Sequence, residues 1–144
     1  MTVRRTVENE DGDRYLLLKE SAESSLVRDP ETGETQYLPT AALDPVAGQS
    51  PLATAARELP SDVRTLLVAV PDERALGLLL ELDAAGPLAV RTLLSTYDLC
   101  ESDLHGLLAE LRAAGLLAET TVAGRRGYGT TETASETLAT LRDL

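Results

Sequence analysis

The apolar residues of this chain change their spacing once, and that change limits what the chain can fold into. Up to about residue 43 they come in short runs of β-formers: TVRR, RYLLLK (14–19), SSLVR (24–28) and TQYLP (35–39). Such runs, bounded by turn residues, read as strands. From residue 52 onward the apolar positions recur at i, i+3, i+4 and i+7, the spacing of one helix face. The chain has no Phe, no Trp and four Tyr, so both halves need aliphatic cores.

Turn chemistry supports the first half as a small antiparallel meander of three or four strands. In Asp29-Pro30-Glu31-Thr32-Gly33-Glu34, the proline presets φ and the glycine supplies a positive φ. Glu10-Asp11-Gly12-Asp13 is a second turn. The meander resembles the outer hairpin of a zinc ribbon without its metal cysteines. One cysteine, Cys100, excludes an intrachain disulfide. With one histidine, His105, it also excludes a Cys/His zinc site, and neither metal nor cofactor is expected.

Residues 44–51 carry turn residues and read as a linker. Leu52, Ala55, Ala56 and Leu59 predict one short helix, and Val63, Leu66, Leu67 and Val70 a second. Pro60 separates them, with Ser61 or Asp62 as N-cap. A helix over 72–84 has Leu76, Leu79 and Leu80 as its expected apolar face and stops at Ala84-Ala85-Gly86-Pro87. A short strand at 88–90, a helix at 91–97 with Leu93 and Leu94 inward, and a tight turn at 98–100 follow. The helix over 101–114 places Leu104, Leu107, Leu108 and Leu111 on one stripe and ends at Gly115. Then come a strand (116–122), a turn (Gly124-Arg125-Arg126-Gly127), a return strand (128–130) and a last helix capped by Thr131 or Thr133.

The expected fold class is therefore α+β. Residues 1–46 form a small β-rich domain, 47–71 a linker with short helices, and 72–144 a helical domain with a hairpin.

The C-terminal order resembles the winged helix-turn-helix family, of the MarR, PadR and ArsR type. The residues that carry the resemblance are LCESDLHGLLAELRAAGLL (99–117) and AGRRGYGTTETASETL (123–138). They match the family's turn, recognition helix and exit, and then its wing and closing helix. The resemblance implies a DNA-binding transcriptional regulator, with helix 101–114 in the major groove and its N-terminal residues on base edges. On this chain those residues are Glu101, Ser102, Asp103, His105 and Gly106. Ser102 can donate or accept, His105 can donate to guanine or phosphate, and Asp103 can accept from cytosine N4. Acids in a first turn also suit the helix dipole, so Ser102 and Asp103 have a purely structural reading beside this one. Arg125 and Arg126 are expected at the wing tip, on the backbone or in the minor groove. Arg91, Arg64 and Arg74 are expected within reach of phosphates. Cys100, at the helix N-cap, is a candidate redox position, since N–H groups there lower a thiol pKa.

Charge tempers this reading. The chain has 24 acids against 13 bases, a net charge of −11. Residues 1–50 hold 5 bases and 10 acids, and each of the two following segments, 51–100 and 101–144, holds 4 and 7. Lys19 is the only lysine. Even acidity with almost no lysine resembles the proteins of salt-in halophiles, and the chain is similar to haloarchaeal winged-helix proteins. At molar salt the Debye length is about 3 Å, which screens such self-repulsion.

The chain has no phosphate loop, no glycine fingerprint and no nucleophile with a base and orienter, so it reads as no enzyme. No apolar run approaches the roughly 20 residues a membrane helix needs, and the start lacks a signal-peptide core, so a cytoplasmic protein is expected. The partners expected are double-stranded DNA and a second copy of the chain. The dimer would pair through the last helix or the helices at 52–70. The acidic recognition helix leaves open an alternative, a winged-helix protein-interaction module of transcription or chromosome machinery.

Overall fold

A computed structural model describes residues 3–144 of the chain, so Thr2, the first residue of the expected TVRR strand, lies outside the described residues. The chain divides into two compact units, Met1–Ser61 and Asp62–Leu144.

The first unit is an antiparallel sheet. Its strands are β1 (Arg5–Glu8), β2 (Arg14–Glu20), β3 (Ser24–Arg28), β4 (Thr35–Pro39) and the two-residue β5 (Asp44–Pro45), in the order β4-β3-β2-β1-β5. The turns form where their residues demand. Gly12 and Gly33 both have positive φ, and Gly33 N–H donates to the Asp29 carbonyl at 2.8 Å. Asn9 Oδ1 accepts from the N–H groups of Asp11 and Asp13, an Asx turn that fixes the β1–β2 register.

β2 does not alternate between buried and exposed, because both faces of the sheet are covered. Tyr15 and Leu17 join Val7 and Val27 in an apolar cluster, with Leu38 and Leu43 against it. The intervening Leu16 is equally buried. On its side of the sheet, Thr6 meets Thr54 of α1 (Pro51–Ala55), their hydroxyls 2.6 Å apart. Burial raises the Tyr15 pKa first, and the Asp13, Asp29 and Asp11 carboxylates raise it further.

The stretch expected as a linker is thus partly structural. Asp44 and Pro45 pair with Glu8 and Val7, and Ser50 caps α1 by accepting from Leu52 N–H. A helix of one turn buries only Thr54. Leu52, counted on the apolar face, is 80% exposed, and Leu59 is 46% exposed.

The second unit runs α2 (Ser61–Ala69), α3 (Glu73–Ala85), β6 (Leu88–Ala89), α4 (Val90–Tyr97), α5 (Glu101–Ala113), β7 (Leu117–Val122), β8 (Arg125–Thr130) and α6 (Glu132–Arg142). The three strands pair antiparallel in the order β6-β8-β7. Helices and an antiparallel sheet together make this unit α+β, the class expected from the sequence. Caps set the boundaries. Asp72 accepts from Ala75 N–H at 2.9 Å, and Gly86 ends α3 with φ 82°. Gly115 ends α5 with φ 78°, and Thr131 caps α6. Thr131 also donates to the Gly115 carbonyl at 2.8 Å, tying the end of α5 to the start of α6.

The core is almost wholly leucine: Leu79, Leu82, Leu93, Leu104, Leu108 and Leu111 are fully buried, with Leu66, Leu116, Leu117, Tyr128 and Leu138 beside them. Each such leucine contributes about 1.5–3 kcal/mol over its exposed state. The stripe on α5 behaves as its spacing predicts, with Leu107 at its half-buried edge. The expected face of α3 was rotated. Ala75, Leu78, Leu79 and Leu82 are buried, while Leu76 and Leu80 lie at the margin. Five leucines surround that helix, so spacing alone could not choose among its faces.

The hairpin also differs from expectation. Its turn is Ala123-Gly124, with φ 49° and 76°, a two-residue connection whose twist suits the paired strands. Arg125 and Arg126 are strand residues opposite Val122 and Thr121. Gly127 is no turn residue; a Cβ there would lie 2.6 Å from the Leu88 carbonyl oxygen. Gly129 makes the same allowance for Pro87, at 2.9 Å. The two glycines let β6 approach β8.

Asp83 at the end of α3 joins three elements. Its carboxylate accepts from Thr130 of β8 and pairs with Arg142 of α6. Hydrogen bonds from Ser135 and Arg142 hold its pKa below the ordinary aspartate value against the opposing effect of burial.

Candidate nucleic-acid interface

Because α5 buries Leu104, Leu108 and Leu111, its other side must face outward. Glu101, Ser102, Asp103, His105, Gly106, Ala109 and Glu110 are all exposed. The base-reading candidates Ser102, Asp103 and His105 therefore share one accessible surface. Each also has a partner. Ser102 Oγ lies 3.4 Å from Cys100 Sγ. Asp103 pairs with Arg74 of α3 at 3.8 Å. His105 Nε2 is 3.6 Å from the Glu101 carboxylate, one turn earlier.

Cys100 is the N-cap of α5. Its exposed Sγ accepts from Asp103 N–H at 3.4 Å, the place a serine or aspartate oxygen usually takes.

The expected basic positions separate into two groups. Arg91, at the start of α4, and Arg125, beside the hairpin turn, are exposed, and neither makes a hydrogen bond or ion pair among the described residues. Arg126 is held: its Nε is 3.1 Å from Glu119, and its Nη2 donates to the Tyr128 hydroxyl at 2.7 Å. That hydrogen bond and then the Glu119 charge raise the Arg126 pKa further. Arg74 faces Asp103, as above. Arg64 is half-buried in α2, with a buried Nε that has no hydrogen-bond partner.

Two residues that the sequence reading passed over complete the surface. Glu119 of β7 also accepts from Arg112 Nη1 of α5 at 3.0 Å, so one carboxylate joins the helix to the hairpin. An acidic residue on the strand that follows α5, seven positions after Arg112, was the available signal. The second is Tyr97, which donates to Glu81 at 3.0 Å; that bond, more than desolvation, raises its pKa. Tyr97, Leu78, Leu99 and Leu107 line a mostly apolar groove of about 340 Å³ between α3 and α5.

Among the described residues no helix is long and apolar enough to cross a membrane.

No curated protein matches the chain. One solved structure that it resembles is the transcriptional regulator HlyU from Vibrio vulnificus CMCP6. The likeness has 28% sequence identity and a TM-score of 0.48, and covers 58% of this chain and 86% of that one. A family model matches residues 4–142, both units together, and by that match the chain belongs to DUF7346, a family of unknown function.

Proposed function

We propose that this chain is a DNA-binding transcriptional regulator of winged-helix type. In this reading α5 enters the major groove and the β7–β8 hairpin is the wing, on the backbone or in the minor groove. The observation that carries it is one arrangement. α5 is anchored by a single leucine stripe, presents Ser102, Asp103 and His105 outward, and runs into a hairpin whose Arg125 is unpaired. A helix held in this way meets base edges with its N-terminal residues.

In the second unit the free cations are few, so the binding is weak and only modestly salt-dependent. Arg91 and Arg125 supply two phosphate contacts per protomer, a slope of about −2 in log K against log salt for each protomer bound and about −4 for a dimer. The measurement is fluorescence anisotropy with a pool of duplexes, from low to molar KCl. Arg91→Ala with Arg125→Ala should flatten that slope across all sequences. Ser102→Ala or His105→Ala should instead change preference among sequences by about 1–3 kcal/mol per lost base contact. Absence of binding above background at the lowest salt sinks the reading.

The regulator works as a homodimer, since paired half-sites offset so few contacts. The outer face of α2, where Leu67 is 54% and Val68 87% exposed, is the proposed interface. Light scattering giving a mass near that of one 15.3 kDa chain would remove this part. The chain works at high salt, where its −11 charge is screened, so its thermal midpoint should rise from dilute buffer to molar KCl.

One observation favours a second reading, a protein-interaction module. The exposed side of α5 carries Glu101, Asp103 and Glu110, while Arg74, Arg112 and Arg126 are engaged by carboxylates. Such a face fits a basic protein surface. Failure of duplex binding together with a monomeric mass would shift the assignment there.

A further inference from the structure

Glu119 occupies a position that a phosphate-binding surface would be expected to leave empty. It lies on β7, opposite Tyr128, and its two carboxylate oxygens face different elements. Oε2 accepts from Arg112 of α5 at 3.0 Å, and Oε1 meets Nε of Arg126 on β8 at 3.1 Å. Tyr128 holds the far side of the Arg126 guanidinium through its hydroxyl. The ion-paired side chains are all partly exposed, so a competing anion can reach both arginines: Arg112 is 54%, Arg126 56% and Glu119 37% accessible.

Two guanidiniums converging on one carboxylate, at the junction of helix and hairpin, make a site of the right charge and fork geometry for a phosphodiester. We infer that Glu119 is a built-in counter-ion which occupies this two-arginine site and competes with nucleic-acid phosphate for Arg112 and Arg126. The inference rests on the DNA-binding reading and adds its regulation: beside the free Arg91 and Arg125, Arg112 and Arg126 are two further phosphate contacts, and Glu119 masks both. Duplex affinity is then set by a competition inside the protein. Exposed ion pairs are weak individually, so DNA can displace the carboxylate, at a cost in affinity.

The test is Glu119→Gln in the full chain, an isosteric change that keeps a hydrogen-bond acceptor for the arginines and removes the charge. Duplex binding is measured by anisotropy across a salt series for the parent, Glu119→Gln and Glu136→Gln. The last removes an equal charge from the exposed side of α6. The expected result is binding about 3- to 30-fold tighter for Glu119→Gln at low salt, from the release of two exposed pairs. Its salt slope should steepen by about one to two contacts, with Glu136→Gln close to the parent. Adding Arg126→Ala to Glu119→Gln should remove much of the gain. If the parent binds and Glu119→Gln binds identically, or if Glu136→Gln gives the same gain, the counter-ion role is overturned and the DNA-binding reading stands. If neither the parent nor Glu119→Gln binds duplex at the lowest salt, that reading fails and takes the counter-ion role with it.

Discussion

In Asp62–Leu144 the buried apolar cluster has thirteen residues, eleven of them leucine, whereas in Met1–Ser61 it is Val7, Tyr15, Leu17 and Val27. Among the described residues, three of the four buried polar ones, Thr6, Ser25 and Thr54, lie in the smaller apolar setting. They are paired there, Thr6 with Thr54 and Ser25 with Thr40 at 2.8 Å. A short sheet with little apolar volume is thus closed by matched hydroxyls, and the helical unit by leucine packing. The same kind of substitution should therefore fail for different reasons in the two units: an unpartnered hydroxyl in one, an unfilled cavity in the other.

The largest expected effect lies in the leucine core. Leu108, 1% exposed at the centre of the α5 stripe, should cost about 2–5 kcal/mol on change to Ala. Leu76→Ala, at the margin of α3, should cost far less. Urea unfolding, with hydrogen exchange to locate the loss in the second unit, checks the pair. Equal losses would mean that α3 packs by the other face.

Next comes the close approach of β6 to β8. Gly127→Ala places a methyl 2.6 Å from a backbone oxygen and should cost about 1–3 kcal/mol, because neither strand can yield cheaply. Gly106→Ala, where nothing lies within 4 Å, should instead be neutral or stabilising. Thermal midpoints of the two variants should move apart.

In the first unit, Thr54→Val leaves the Thr6 hydroxyl buried without its partner and should cost about 1–2 kcal/mol. The double change Thr6→Val with Thr54→Val should recover most of that loss, since both hydroxyls then leave together. A strictly additive double mutant would break the contrast between the units.

The smallest effect is electrostatic. Asp83 has a lowered pKa in the folded protein, so its stabilisation is complete above the ordinary carboxylate pKa of about 4. It is lost as the pH falls from there through the lowered folded value. Asp83→Asn should cost about 1 kcal/mol near neutrality, the partner Arg142 being partly in water, and should flatten the acid limb of the stability profile. An unchanged acid limb would mean that the α3–α6 clasp contributes nothing.

What the amino-acid sequence determined by itself is local. The change of period separated a sheet from a set of helices. Positive-φ demands at Gly33, Gly86 and Gly115 marked turns and helix ends, and Thr131 marked a helix start. The Leu104, Leu108 and Leu111 spacing fixed which side of α5 is buried, and so which residues could face a partner. The tertiary structure decided whatever depends on elements meeting. A leucine-rich α3 has no preferred face until its neighbours are placed. Gly127 of β8 looked like a turn residue, but it and Gly129 are spacing residues, because the segment they admit lies some forty positions earlier in the chain. The same holds for charge. Arg125 and Arg126 are adjacent and alike in sequence, yet alternation across the strand gives Glu119 to one and leaves the other free. Periodicity and backbone torsion are carried by neighbouring residues, so the sequence shows them. Ion pairing falls off over a few ångströms in water, so only the folded chain, which brings Arg112, Glu119 and Arg126 within that range, settles which cations are available to a ligand.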